Sequence, residues 1–271
     1  MENLTTGTFY GQTNTTIHLD FATLTDTEYT HDKVDWHYHD NAYFTFILDG
    51  RVTEGNKKEV YNCTPGSLLF HNWQEAHYNI KPKGFTRGFH IELKEDWFKQ
   101  MPLKYQNLQG SFAVTNPDII FLFYHLFKES KINDNLTSLC AETFLLKALA
   151  QMHEEQIPAR GASPLWVNEL RSVLNDDVGH KFTLTQLATL LNIHPAHLSR
   201  DFSKYFHCNL GEYIRKLRVQ KALTLLPDKD RSLTGIALEC GFADQSHFLR
   251  CFKSFNEGNP SLYRKLLINA C

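Results

Sequence analysis

Short apolar runs alternate with turn signals over the first hundred residues. Tyr43-Phe44-Thr45-Phe46-Ile47-Leu48 and Ser67-Leu68-Leu69-Phe70 are bounded by Asp49-Gly50, Glu54-Gly55-Asn56, Thr64-Pro65-Gly66 and Lys83-Gly84. Runs this short, with turns this regular, predict a small antiparallel barrel or sandwich. After Asn116 the period becomes helical. A helix is expected from Pro117 to about Ser130, with Asn116 as N-cap and proline at the first helical position. Another runs from about Thr137 to Glu155, apolar at 139, 144, 145, 146, 149 and 152. That stripe is broad. It suits docking against the barrel of the same chain and also an antiparallel helix interface between two chains, and both uses can hold together. The polar stretch EEQIPARGAS, residues 154–163, is the linker candidate. Beyond it every pattern is helical. Ser163-Pro164 opens a helix to about Asp176. Thr183-Leu184-Thr185-Gln186 fits a capping box. Gly211 to Leu226 forms a long helix, stopped by Pro227-Asp228.

The last third contains one pattern twice. His197-Leu198-Ser199-Arg200-Asp201-Phe202 returns as His247-Phe248-Leu249-Arg250-Cys251-Phe252. Each copy follows a short apolar helix and a tight turn: Leu187-Ala188-Thr189-Leu190-Leu191-Asn192-Ile193, then Ile236-Ala237-Leu238-Glu239-Cys240-Gly241-Phe242. The alanines are 49 residues apart and the histidines 50, so the copies differ by one residue near the turn. Helix, tight turn, second helix describes a helix-turn-helix, whose second helix enters the DNA major groove. Two such units let one chain reach two groove segments.

These residues resemble the AraC/XylS family of transcription regulators over roughly 164–266. The most specific stretch is Ile236-Ala237, Gly241-Phe242-Ala243-Asp244-Gln245-Ser246-His247-Phe248, Phe252-Lys253 and Gly258-Asn259-Pro260-Ser261-Leu262-Tyr263-Arg264. The first unit matches through Leu187-Ala188, Leu198-Ser199-Arg200, Phe202, Tyr213-Ile214, Arg218 and Ala222. Three departures stand out. His194 replaces the usual serine N-cap, and imidazole caps less well. Cys208 replaces the usual glycine after the first recognition helix, which predicts a poorer left-handed cap. Asp201 occupies a hydrophobic position. The first unit is therefore expected to be the looser one.

The recognition helices are expected at about 195–206 and 244–255. Leu198/Phe202 and Phe248/Phe252, four apart, face the core. The opposite faces offer Ala196, Ser199, Arg200, Ser203 and Lys204 in the first unit. In the second they offer Gln245, Ser246, His247, Arg250 and Lys253. Arginine reads guanine, glutamine reads adenine, and alanine can meet a thymine methyl. Lys204, Lys253, Arg264 and Lys265 suit phosphates. Arg218 is expected to be structural. A rigid linking helix would hold the recognition helices about 34 Å apart, for contacts about 10 bp apart.

Charge and cysteine content narrow the picture without deciding it. The net charge of −2 divides into −6 over residues 1–160 and +4 over 161–271, and the mildly basic part suits phosphate contacts. Aromatic residues number 24 in the first part and 11 in the second, as expected of strands followed by Leu/Ala-rich helices. Cysteines 63, 140, 208, 240, 251 and 271 have no CxxC spacing, which excludes zinc fingers and fits reduced thiols. The first residues, Met1 to Gly11, lack a signal-peptide layout, and no apolar run approaches a membrane span. A cytoplasmic location is expected.

His37-Tyr38-His39 before a strand ending at Asp49-Gly50, then Pro65-Gly66 and His77, resembles a cupin barrel over about residues 15–95. The resemblance implies an effector sensor. Strand alternation leaves two parities open: His37, His39, Tyr43 and Thr45 inward, or Trp36, Tyr38, Phe44 and Phe46. Trp36, His37, His39, Tyr43, Thr45 and His77 are the effector-binding candidates, with Trp73, Tyr78 and His90 behind them. Such walls suit a sugar or a small aromatic acid. In enzymatic cupins a glutamate follows HxH, and here Tyr43 or Phe44 takes its place, so no resident metal or cofactor is expected and the chain is read as a non-enzyme. The alternative is a cupin metalloenzyme with an appended DNA-binding module.

The reading is an α+β chain of two domains. A cupin-like antiparallel β-barrel spans 1–115, a helical dimerisation segment 116–157, a linker 158–163, and an all-α DNA-binding domain with two helix-turn-helix units 164–271. The expected partners are double-stranded promoter DNA, a small-molecule effector and a second copy in a homodimer, with RNA polymerase a further candidate and no membrane.

Overall fold

The computed structural model describes residues 2–100, 108, 110–156 and 164–268. Two compact units are present, Met1–Ile157 with Lys265–Cys271, and Pro158–Arg264. The expected linker, 158–163, and Cys271 lie outside the described residues.

The first unit carries β1 (Glu2–Leu4), β2 (Gln12–His18), β3 (Ala22–Glu28), β4 (Lys33–His39), β5 (Tyr43–Asp49), β6 (Val52–Asn56), β7 (Val60–Cys63), β8 (Leu68–His71), β9 (His77–Ile80), β10 (Arg87–Leu93) and β11 (Phe112–Val114). They form two sheets, β1-β4-β9-β6-β7 and β11-β8-β5-β10-β3-β2. Strand length and turn chemistry fit the expected all-β domain. The closed antiparallel barrel is corrected: both sheets are open, and β1 pairs with β4 in parallel. Sequence periodicity carries no information on closure, which depends on pairings between distant strands.

Three helices complete this unit: α1 (Glu95–Gln100), α2 (Pro117–Ile132) and α3 (Thr137–Gln156). The Asn116 side chain accepts from the Asp118 N–H, as expected of the N-cap. Phe44 and Phe46 pack against Phe123 and Tyr124 of α2. Both faces of β5 are therefore buried, one under α2 and the other toward the interior between the sheets. Asp26 ties α2 to the sheet: its carboxylate accepts from Arg87 at 2.8 and 2.6 Å and from Lys131 at 2.6 Å. Burial pushes the Asp26 carboxyl up, but the two cations outweigh it and hold it below the usual carboxylate range. On α3, Ala141, Leu145, Ala148, Leu149 and Met152 are buried, while Leu139 and Leu146 are exposed.

The second unit is helical: α4 (Leu165–Asp176), α5 (Leu184–Leu190), α6 (Pro195–Phe206), α7 (Leu210–Leu225), α8 (Leu233–Glu239), α9 (Gln245–Asn256) and α10 (Pro260–Ile268), the last running on past Arg264. The capping box at Thr183 and Gln186 is present in full. One core gathers Leu170, Leu174, Leu187, Leu198, Phe202 and Leu217. Around the second repeat Ile236, Ala237, Phe248, Phe252 and Tyr263 are buried. Each large apolar side chain among them contributes about 1.5–3 kcal/mol by burial.

Among the described residues no helix is long and apolar enough to cross a membrane. Cys63, Cys140, Cys240 and Cys251 are free thiols.

Candidate functional site

The two repeats fold alike. In the first, Asn192 donates to Thr189 O at 3.1 Å and Ile193 to Ala188 O at 3.0 Å; in the second, Gly241 donates to Leu238 O and Phe242 to Ala237 O, both at 3.0 Å. Asn192 has φ 51° and Gly241 φ 82°, so both turns use a left-handed residue. Ala243 is the extra residue, between Phe242 and the N-cap Asp244. Arg218 of α7 locks the two repeats to each other. Its guanidinium donates to Val178 O at 3.3 Å and His180 O at 3.0 Å, and it lies against Gly241. The expected structural role fits this placement.

α6 and α9 bury the faces expected. Leu198 and Phe202 are buried on one, Phe248 and Phe252 on the other. On α6, Ala196, Ser199, Arg200, Ser203 and Lys204 are exposed. On α9, Ser246, Arg250 and Lys253 are exposed, with Gln245 and His247 half-buried. Two details are invisible in the sequence. Arg200 donates to the neighbouring Asp201 at 2.8 and 3.2 Å, whereas Arg250 precedes the buried Cys251 and has no hydrogen bond or ion pair among the described residues. The two arginines share a repeat position but not a state. Gln245 Oε1 accepts from Thr234 at 2.6 Å, which leaves its amide N–H groups outward.

Two expectations are corrected, and a third holds in part. Cys208 costs the first unit no left-handed cap. That conformation belongs to His207 (φ 55°) and Glu257 (φ 48°), one residue earlier, and neither Cys208 nor Gly258 has positive φ. His194 does cap α6, its Nδ1 accepting from the Ala196 N–H at 3.2 Å, though Asp244 caps α9 more closely at 2.7 Å. Arg264 is not the free surface cation expected: it donates to Leu226 O at 3.0 Å and Arg231 O at 2.8 Å.

The first unit holds a cavity of about 40 Å³ lined by Phe9, Tyr43, Thr45, Glu54, His37, His39, His77 and His90, among others. The inward parity is thus His37, His39, Tyr43 and Thr45. Trp36 does not line it: the indole is 39% exposed and meets Tyr78 on the other side of the strand. Trp73 and Tyr78 are absent from the lining as well. His37 faces His77 across the β4–β9 pair, and His39 follows on the same face. Phe9, from the turn before β2, fills much of the space. Its ring stacks on His90 at 3.8 Å and on His39 at 4.7 Å.

Burial governs the chemistry of this pocket. Desolvation, reinforced by neighbouring imidazoles, lowers His39 to about 2 and His77 to about 3. His90 falls to about 3 for the same reason, and His37 and His71 are lowered too. Glu54 is raised by burial to about 8, so the carboxyl is protonated at neutral pH. His71 Nε2 lies 3.1 Å from Glu54 Oε1 without hydrogen-bond alignment, a contact between neutral groups rather than an ion pair. Phe9, Glu54 and His71 carry no signal in the sequence, because tertiary folding alone brings them to the histidine pair.

Residues 187–266 match the family described as "Helix-turn-helix domain". The Msm operon regulatory protein of Streptococcus mutans is 22% identical over 251 residues, 85% of this chain and 86% of its own length. The HTH-type transcriptional activator RhaR of Mannheimia succiniciproducens is 28% identical over 243 residues, 86% of this chain and 87% of its own. Among solved structures, ToxT of Vibrio cholerae aligns over 91% of this chain and 99% of its own at 14% identity, with a TM-score of 0.39, a loose superposition. The paired turns, the buried aromatic faces of α6 and α9 and the two regulators that align along most of the chain give one conclusion: residues 187–266 form a helix-turn-helix DNA-binding domain, in a chain similar to transcription regulators of the AraC type.

Proposed function

We propose that this regulator reads an asymmetric DNA site by inserting α6 and α9 into adjacent major-groove segments. The supporting observation is the pair of like-built turns, each followed by a helix with a buried aromatic face and an exposed basic one. Arg250 and Gln245 are the base readers of the second unit, and Ser246 and His247 flank them. Lys253 and Lys204 serve phosphates. In the first unit Ala196, Ser199 and Ser203 line the groove. Arg200 must give up Asp201 before it reaches a base.

The cavity between the sheets is the effector site, with His37, His39, Tyr43, Thr45 and His77 as its wall. At about 40 Å³ it holds waters rather than a sugar or an aromatic acid. Phe9 must therefore leave for an organic effector to enter. An effector shifts DNA binding only by favouring one arrangement of the chain over another. The exposed Leu136, Leu139 and Leu146 of the α3 region support a homodimer through this helix. The relatives' names support the regulator reading over the metalloenzyme.

Site selection from a random duplex pool by the full-length chain, at stated salt, tests the proposal. The expected result is two contact blocks about 10 bp apart. Arg250→Ala should then relax one base pair by about 1–3 kcal/mol. Equal weakening on every sequence would refute base reading by Arg250.

A further inference from the structure

Among the described residues, α10 is the one helix divided between the two compact units, 260–264 belonging to the second and 265–268 to the first. Each part is held by its own unit. In the second unit Tyr263 is fully buried, its ring 5.5 Å from that of Phe252 on α9. Its hydroxyl donates to Asn256 O, at the end of α9, at 3.2 Å. In the first unit the guanidinium of Arg87 donates through Nη1 to Leu267 O at 2.8 Å. Leu267 lies in the last turn of α10, where carbonyls have no partner within the helix. A cation placed there also meets the negative end of the helix dipole.

Arg87 is built for this contact. It is fully buried on β10, and its Nε and Nη2 are taken by the Asp26 carboxylate at 2.8 and 2.6 Å. That bidentate pair fixes the planar fork, so Nη1 points in one direction. The pairing of β10 with β5 shifts register between Arg87 and Gly88, an irregularity of the kind that re-aims a side chain. Asp26 is also held by Lys131, so one carboxylate faces two cations. The surplus positive charge is matched by the negative end of α10. Tyr263 and Leu267 are four apart on one face of this helix, with no glycine or proline between them. A displacement of one is therefore passed to the other. We infer that Arg87 is a positioning residue for the second recognition helix. By holding Leu267 O it fixes α10, and through Tyr263 α10 fixes α9. The first unit thereby takes part in setting the helix that carries Gln245 and Arg250. Only the consequence for DNA rests on the base reading proposed above.

Hydrogen exchange of the full-length chain, followed by mass spectrometry without DNA, tests this. Arg87→Lys keeps a cation beside Asp26, but a single ammonium lacks the fork that reaches Asp26 and Leu267 together. Amides of α10 and α9 should exchange about tenfold faster or more, with α5 and α6 unchanged. Phe123→Leu loosens the first unit where α2 meets Phe44, and should leave α9 unchanged. Lys265→Gly, at an exposed position between Tyr263 and Leu267, weakens the helix and leaves both anchors in place. It should speed exchange in α9 as well, and it carries the test if Arg87→Lys does not fold. On DNA, Arg87→Lys should lower discrimination in the contact block of α9 by about fivefold or more, and leave the block of α6 as it was. Faster exchange confined to β10, β3 and α2 overturns the inference. So does an α9 that loosens equally in Phe123→Leu. An α9 that loosens with no change in its contact block supports the positioning and counts against base reading by α9.

Discussion

Lowering the pH should destabilise the first unit steeply, because its interior is built on neutral imidazoles. His39, His77 and His90 are lowered by burial from 6.5 to about 2, 3 and 3. The unfolded chain binds a proton at each as pH falls through 6.5, and the folded chain does not until far lower. Stability is therefore complete above about pH 6.5 and lost below it. One pKa unit corresponds to about 1.4 kcal/mol, so each ring costs about 2 kcal/mol between pH 6.5 and 5, and the three together about 6 kcal/mol. Glu54 acts in the opposite sense. Raised by burial from 4.5 to about 8, the folded carboxyl holds a proton that the unfolded one releases, which returns about 2 kcal/mol over the same interval. The net loss is about 4 kcal/mol, against a typical total of about 5–15. His37 and His71, also lowered by burial, add to the loss. Urea unfolding of the full chain in chelator reads this directly, since Trp36, Trp73 and Trp97 report on this unit and only Trp166 on the other. With a slope near 2 kcal/mol/M the midpoint should fall by about 2 M. A midpoint that stays level or rises between pH 6.5 and 5 would refute the argument, because the imidazoles would then be charged or hydrated in the folded state.

Asp201→Ala should release Arg200 and sharpen discrimination at one base pair of the first contact block by about 1–3 kcal/mol; unchanged discrimination would mean that Arg200 does not read a base. Gly241→Ala combines φ +82° with a new Cβ 2.6 Å from Gly179 O, and should lower the stability of the second unit by about 1–3 kcal/mol in thermal unfolding. Asp26→Asn leaves the fully buried Arg87 without its carboxylate and should cost about 3–5 kcal/mol in urea, with loss of the α2 anchor visible in near-ultraviolet dichroism.

Much of the DNA-binding unit is legible in the amino-acid sequence. The repeat spacing places both turns, and the four-residue spacing of Leu198/Phe202 and Phe248/Phe252 assigns their inner faces. The caps at Asn116 and Thr183 are legible because a cap is a local hydrogen bond. The states of Arg200 and Arg264 are not, since an arginine's partner depends on which carboxylate or carbonyl the fold leaves within reach. Cys208 misleads for a related reason: residue identity suggests a left-handed position, but the end of the helix decides which residue adopts it.

In the first unit the division is sharper. Turn chemistry and alternation determined that short strands occur and where they stop, because both act over a few residues. Alternation also restricted the interior to two parities, without choosing between them. Only the tertiary structure decided that His37 faces His77, that Phe9 enters the space between the sheets, that Trp36 stays outside, and that the sheets remain open. Each of these depends on pairing between segments far apart in the chain, where burial of whole faces outweighs local preference.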